Sequence, residues 1–200
     1  GAEEFDVIQD GVTYTCETAV DGTVEITCIV AESGVTKVSV PASIEHEGLA
    51  YKVTSLRFSG GTTAEDVEQL LLPDTLEKLS GWNFSKFVKV KELRIPGSIK
   101  NFSCTLQNAD ALEKLIFDEG VEEISANSMV NGCASLSEIN LPSTLKLISG
   151  TGAFSGAESL KSITLPEGVV IDDSVGSLLR DCTSLTSVSL PASVTKISSY

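Results

Sequence analysis

Covalent or metal chemistry in this chain would fall to six side chains: the thiols of Cys16, Cys28, Cys104, Cys133 and Cys182, and the imidazole of His46, the single histidine. Cysteine zinc sites need pairs spaced as Cys-x-x-Cys, completed by further cysteine or histidine ligands. The sequence holds no such pair. His46 lies in the turn-like stretch Glu45-His46-Glu47-Gly48, with no indicated serine or cysteine for it to activate, and reads as a solvated loop residue. Acidic pairs at Glu65-Asp66, Glu122-Glu123 and Asp172-Asp173 lack the ligand spacing of calcium loops and read as solvated turns. No catalytic residue, cofactor site or metal site is expected, and the chain does not read as an enzyme.

Composition narrows the partners. Asp and Glu outnumber Lys and Arg by 28 to 14, a net charge of −14, so the basic clusters that drive binding to nucleic acid are missing. Anionic membrane surfaces are disfavoured for the same reason. No apolar stretch approaches the ~18–20 residues that span a bilayer, so direct membrane insertion is not expected. With 42% hydrophobic residues, 200 residues suffice for a folded domain with a core of its own.

The elements that must position these side chains follow from the prolines. Pro73 and Pro96 are 23 residues apart, Pro142 and Pro166 24, and Pro166 and Pro191 25; Asp118 stands where a proline is missing between Pro96 and Pro142. A fixed period of this length marks a solenoid. Before each of these positions runs an apolar pair at period two, as in Leu93/Ile95, Leu115/Phe117 and Ile163/Leu165, which buries one face of a short strand. Apolar columns at steps of three follow: Leu76, Ile99, Val121, Leu145, Val169 and Val194, then Leu79, Phe102, Ile124, Ile148 and Ile197. Further columns begin at Phe84, Leu106, Val130, Phe154 and Leu179, and continue through Phe87, Ala109, Cys133, Ala157 and Cys182. A last column holds Val90, Leu112, Leu136, Leu160 and Leu185. Steps of three suit turns and 3₁₀ pieces that each send one side chain inward. In the 164–188 copy Asp172 occupies an apolar column, and a local bulge is expected to turn Ile171 inward instead. Cys133 and Cys182 sit in a buried column as small hydrophobes, and Cys104, at a turn-like position, reads as structural.

The unit Ile139–Pro166, with its strand ending Ile-Asn-Leu-Pro, its Ala153-Phe154 pair and its closing Leu160, resembles the BspA-like, or treponemal-type, leucine-rich repeat. Cys133 and Cys182 take the position of that pattern's cysteine, with Ala109 and Ala157 substituting elsewhere. The likeness covers about residues 35–200. It implies a β-rich (α/β-type) right-handed leucine-rich-repeat solenoid with repeats of ~22–25 residues and a small N-terminal β hairpin module. It further implies an exported protein of host-associated bacteria, on the cell surface (lipid-anchored in some members) or secreted, credited with adhesion or protein binding. No signal peptide is visible, and Gly1 without a Met suggests that a leader has been removed. The Asn-Phe-Ser sequences at Asn83 and Asn101 match a glycosylation pattern, read in a bacterial protein as chance.

Residues 1–56 read as the N-terminal β module capping the solenoid, 57–69 as an insertion loop, and 70–200 as the repeats, the last incomplete. Within the module, alternation over Val12–Val20 and Val24–Val30 around Asp21-Gly22 gives a hairpin. A three-residue loop there places Cys16 opposite Cys28, which permits either a cross-strand disulfide or two reduced thiols. The insertion reads as a linker, or as one of the binding loops that solenoids carry on one face. Trp82 reads as core filling or as an exposed anchor. The open end at Val194 and Ile197 allows either Tyr200 as an improvised cap or a dimer through the last repeat; a monomer is the first expectation.

Binding is expected on the outward strand positions, and the candidates are Glu92, Arg94, Lys114, Glu138 and Asn140, within a row that continues as Ser162/Thr164 and Ser187/Ser189. Cross-strand charge pairing among them is the plainer alternative. The expected function is a non-catalytic binding or adhesion module for a protein or glycan on a host or neighbouring cell. The alternative is a passive spacer within a longer surface protein.

Overall fold

Period-two alternation builds the first strands of the computed structural model, which describes residues 2–197. The N-terminal part comprises β1 (Glu4–Gln9), β2 (Val12–Thr18), β3 (Thr23–Ala31), β4 (Lys37–Ser39), β5 (Ser43–His46) and β6 (Leu49–Phe58). There follow β7 (Gln69–Leu71), β8 (Lys78–Gly81), β9 (Glu92–Ile95), β10 (Asn101–Phe102), β11 (Lys114–Phe117) and β12 (Glu123–Ser125). The chain continues through β13 (Glu138–Asn140), β14 (Leu147–Ser149), β15 (Ser162–Thr164), β16 (Val170–Ile171), the single-turn helix α1 (Val175–Leu178) and β17 (Ser187–Ser189).

These strands form the two faces of a solenoid. The first face stacks the strands that precede the prolines in parallel: β4 on β7, β9 on β11 on β13, and β15 on β17. The second stacks β10, β12, β14 and β16 in parallel. Each buried column is a line of residues in register across coils, Leu93–Leu115–Ile139 on the first face and Phe102–Ile124–Ile148–Ile171 on the second. The steps of three are turns closed by i→i+3 bonds. The N–H of Leu76, Ile99, Leu145, Val169 and Val194 donates to the carbonyl of the proline three residues earlier, and Val121 donates to Asp118 in the same way. A second set of such bonds joins Phe87 to Phe84, Leu112 to Ala109, Leu136 to Cys133 and Leu160 to Ala157. Asp118 thus does the proline's work at the turn.

In the irregular coil Ile171 does turn inward beside Ile148, and Asp172 is exposed. One residue is thereby gained before the next column, so Leu178, not Leu179, becomes the fully buried side chain. The extra residue is accommodated by α1, capped where Ser174 Oγ accepts from Ser177 N–H at 3.1 Å.

The N-terminal sheet has the order β1-β2-β3-β6-β5, and β8 also pairs with β6. Because β3–β6 and β6–β8 are both parallel, the end of β6 is the first rung of the second face and carries the hairpin onto the coils. Arg57 and Phe58, assigned from sequence to the insertion, therefore belong to β6, and β4 already stacks on β7. What remains of the insertion is fastened rather than loose. Thr63 exchanges hydrogen bonds with Ile29 and Ala31, Val67 is buried, and Asp66 accepts from Gly34 N–H (2.8 Å) and Lys89 Nζ (3.2 Å).

The hairpin register differs from expectation, and with it the disulfide. The turn runs from Ala19, whose N–H donates to Thr23 O at 2.9 Å, and Asp21 holds Thr23 N–H and Oγ1, so Thr18 faces Val24 and Cys16 faces Ile26. A bulge then leaves Thr27 unpaired and sets Cys28 opposite Thr15. The extra residue reverses the alternation, so Cys16 points into the core while Cys28 points to the other face, and both thiols are free. The dimer interface and cap expected at the last repeat turn partly on Tyr200, which lies outside the described residues.

Candidate functional site

The outward row on the first face is assembled as the repeat spacing implies. Lys114 lies in register between Glu92 and Glu138, and Ile116 between Arg94 and Asn140. Their charges are largely turned on one another. Lys114 Nζ is 3.3 Å from Glu138 Oε2 and 4.0 Å from Glu92 Oε1, and Arg94 pairs with Asp118. Asn140 Nδ2 donates to Glu138 Oε2 at 2.8 Å; that bond, with Lys114 behind it, holds the Glu138 carboxyl below the usual range. Ile116, at an outward position, is only 8% exposed. Toward β15, which packs beside β13 without ladder pairing, Glu138 and Asn140 line a shallow depression of about 520 Å³ together with Glu119, Ser162 and Glu167.

The groups with chemical potential are otherwise placed where they are quiet. Burial pushes the Cys16 and Cys104 thiols up to about 12 and Cys133 to about 11, with Cys182 raised as well. A thiol held neutral is a poor nucleophile. Cys133 and Cys182 each donate to the carbonyl of an earlier coil, Leu106 O at 3.2 Å and Phe154 O at 3.3 Å, which gives this column a reason for cysteine beyond its size.

His46 is not the free loop residue expected. It ends β5, stacks on Phe5 with ring centroids 3.7 Å apart, and meets Glu3 Oε1 at 2.7 Å and Glu47 Oε1 at 3.7 Å. Glu3, His46 and Glu47 are the described residues whose donor atoms converge closely enough to share one divalent ion. The hydrogen bond between His46 Nε2 and Glu3 Oε1 and the exposure of both glutamates account for the cluster without a metal. Sequence spacing gives no hint of it, since Glu3 and His46 are 43 residues apart.

Trp82 is not core filling. It is 78% exposed, just beyond the end of β8. Gly81 at that end has φ +94°, and a Cβ there would fall 2.2 Å from Phe58 O. The backbone of the first coil is therefore pressed against β6 at Gly81, and the indole that follows lies outside the core.

The family model described as "BspA type Leucine rich repeat region" matches in six copies over residues 43–157 and 104–200. This chain belongs to the BspA-type leucine-rich-repeat family. Solved structures share the fold. The Treponema pallidum leucine-rich-repeat protein superposes with a TM-score of 0.68 at 20% identity, over 94% of this chain and 84% of that one. A leucine-rich-repeat protein from Bacteroides ovatus gives 0.60 at 22% identity over 95% of this chain; the BspA-type chain spans 54% of that longer protein. No curated protein matches the sequence.

Proposed function

We propose that this BspA-type chain is a non-catalytic binding module of a bacterial surface protein, with its partner a protein or glycan on another cell. The family and the fold support a repeat scaffold without a reaction centre. Among the described residues no helix is long and apolar enough to cross a membrane. The observation that carries the reading is the outward row of the first face. There, successive coils present Glu92/Arg94, Lys114 and Glu138/Asn140 in register on a rigid ladder, which preorganises a polar surface for a partner. Because the row is internally paired, it supplies specificity and steering more than raw affinity.

The test is a screen of the intact chain against extracellular-matrix proteins and glycans at physiological salt, with an Arg94→Glu/Lys114→Glu variant in parallel. A protein hit lost in the variant places binding on the first face. Silence in both returns the chain to the spacer role.

A further inference from the structure

A second surface lies on the other face of the solenoid. Where the second-face strands end, four successive coils leave an open groove of about 500 Å³, running from Trp82 past Ser103 and Asn127 to Ser149 and Gly150. Strand spacing of ~4.8 Å makes it roughly 14 Å long. Adjacent coils pack closely at both ends: at Gly150 a Cβ would meet Ala126 O at 2.5 Å, and Gly81 is closed to one in the same way.

Three features of the lining point to one class of ligand. Charged residues make up 21% of the chain, yet none lines this groove. The walls offer hydroxyls and a carboxamide instead. Ser149 Oγ bonds to Ser125 Oγ at 3.0 Å, and Asn127 Oδ1 accepts from Thr151 N–H, which leaves the Asn127 amide nitrogen to donate. At the end stands an indole, 78% exposed, that packs against no other ring among the described aromatic pairs. A flat apolar ring beside uncharged donors and acceptors matches a pyranose, which has an apolar C–H face and a rim of hydroxyls.

We propose that this groove binds a neutral oligosaccharide, with one sugar stacked on Trp82 and its neighbours extending across the coils toward Ser149. The proposal rests on the reading of the chain as a binding module and assigns the glycan to a face separate from the charged row. Trp82 is also the only tryptophan, so the site carries its own reporter.

The experiment titrates Trp82 emission of the intact chain with cello-, xylo-, manno- and chito-hexaose, at low and high salt. N-acetyltryptophanamide serves as the blank. Trp82→Ala and Trp82→Phe variants are compared with wild type by calorimetry, and the exposed position leaves their melting temperatures unchanged. The expected result is a saturable change with at least one hexasaccharide, insensitive to salt because no charge is engaged. Trp82→Ala then weakens binding about tenfold or more, and Trp82→Phe recovers part of the loss by keeping a ring. Absence of any saturable change, or equal binding by Trp82→Ala, overturns the proposal. A protein partner lost in Arg94→Glu/Lys114→Glu, with no saccharide bound, removes the groove and leaves the binding-module reading standing; failure of both screens removes both.

Discussion

A thiol in the core is a pH-dependent part of the fold. Cys16 and Cys104 are raised by burial from 9.0 to about 12, and Tyr14 by burial, with Asp10 and Cys16 nearby, from 10.0 to about 12. Above pH 9 the unfolded chain sheds protons that the folded chain keeps. Stability is therefore intact below pH 9 and falls as pH rises toward 12, with a limiting slope of about 1.4 kcal/mol per pH unit for each such group. Urea midpoints at pH 8 and pH 10 should show this loss, and Cys104→Ala should shrink the difference between them. Reducing agent at pH 8 should leave the midpoint unchanged, because none of the five cysteines is paired. A shift on reduction would contradict the bulged register of the hairpin. At Gly81 the constraint is steric rather than titratable. A methyl group 2.2 Å from Phe58 O forces the backbone apart at φ +94°, so Gly81→Ala should cost about 3 kcal/mol or more by denaturant titration.

Each coil obeys the same local rule, and one exception tests it. Asp118 replaces the recurring proline, and a consensus argument would restore the proline to stiffen the unfolded chain by ~0.4–1 kcal/mol. The structure predicts the opposite. Asp118 N–H donates to Ile95 O at 2.9 Å, which proline cannot do, and its carboxylate pairs with Arg94. Asp118→Pro should therefore lower stability by about 1–2 kcal/mol in urea unfolding. The columns were legible in the sequence because every coil solves the same packing problem with the same residue types. Even the inward turn of Ile171 followed from a single polar intruder. The hairpin was not legible to the same degree: its register depends on Asp21 bonding Thr23 and on one unpaired residue at Thr27, neither of which repeats. The charged row could be read from period two alone. Trp82 and its groove could not, because the groove is assembled from residues of four coils with Trp82 at one end, and no pattern within one repeat encodes that arrangement.

Over the whole molecule, the question is whether cap and coils unfold together. Coils in a solenoid touch only their neighbours, so cooperativity passes through each interface in turn. The interface between the N-terminal sheet and the coils is the β6–β8 ladder, and beneath it Phe58, Phe84 and Phe87 form a three-ring cluster with centroids 5.3–5.8 Å apart. All three rings are fully buried. Phe84→Ala removes the ring contributed by the first coil, at a cost of about 3–5 kcal/mol, while leaving the ladder itself in place. In the wild type, the amides of β8 to β10, which report on the first coil, should lose their hydrogen-exchange protection at the same denaturant concentration as near-ultraviolet dichroism from Tyr14 and Tyr51, which reports on the N-terminal sheet, is lost. In Phe84→Ala the two should separate. Phe154→Ala supplies the control: Phe154 stands in the same column three coils beyond Phe84, after Leu106 and Val130, away from the junction, and is fully buried in its turn. It should destabilise by a similar amount without dividing the tyrosine signal from that of the first coil. Coincident transitions in Phe84→Ala would mean that the backbone ladder alone couples the two parts, and that the aromatic cluster contributes stability but not cooperativity.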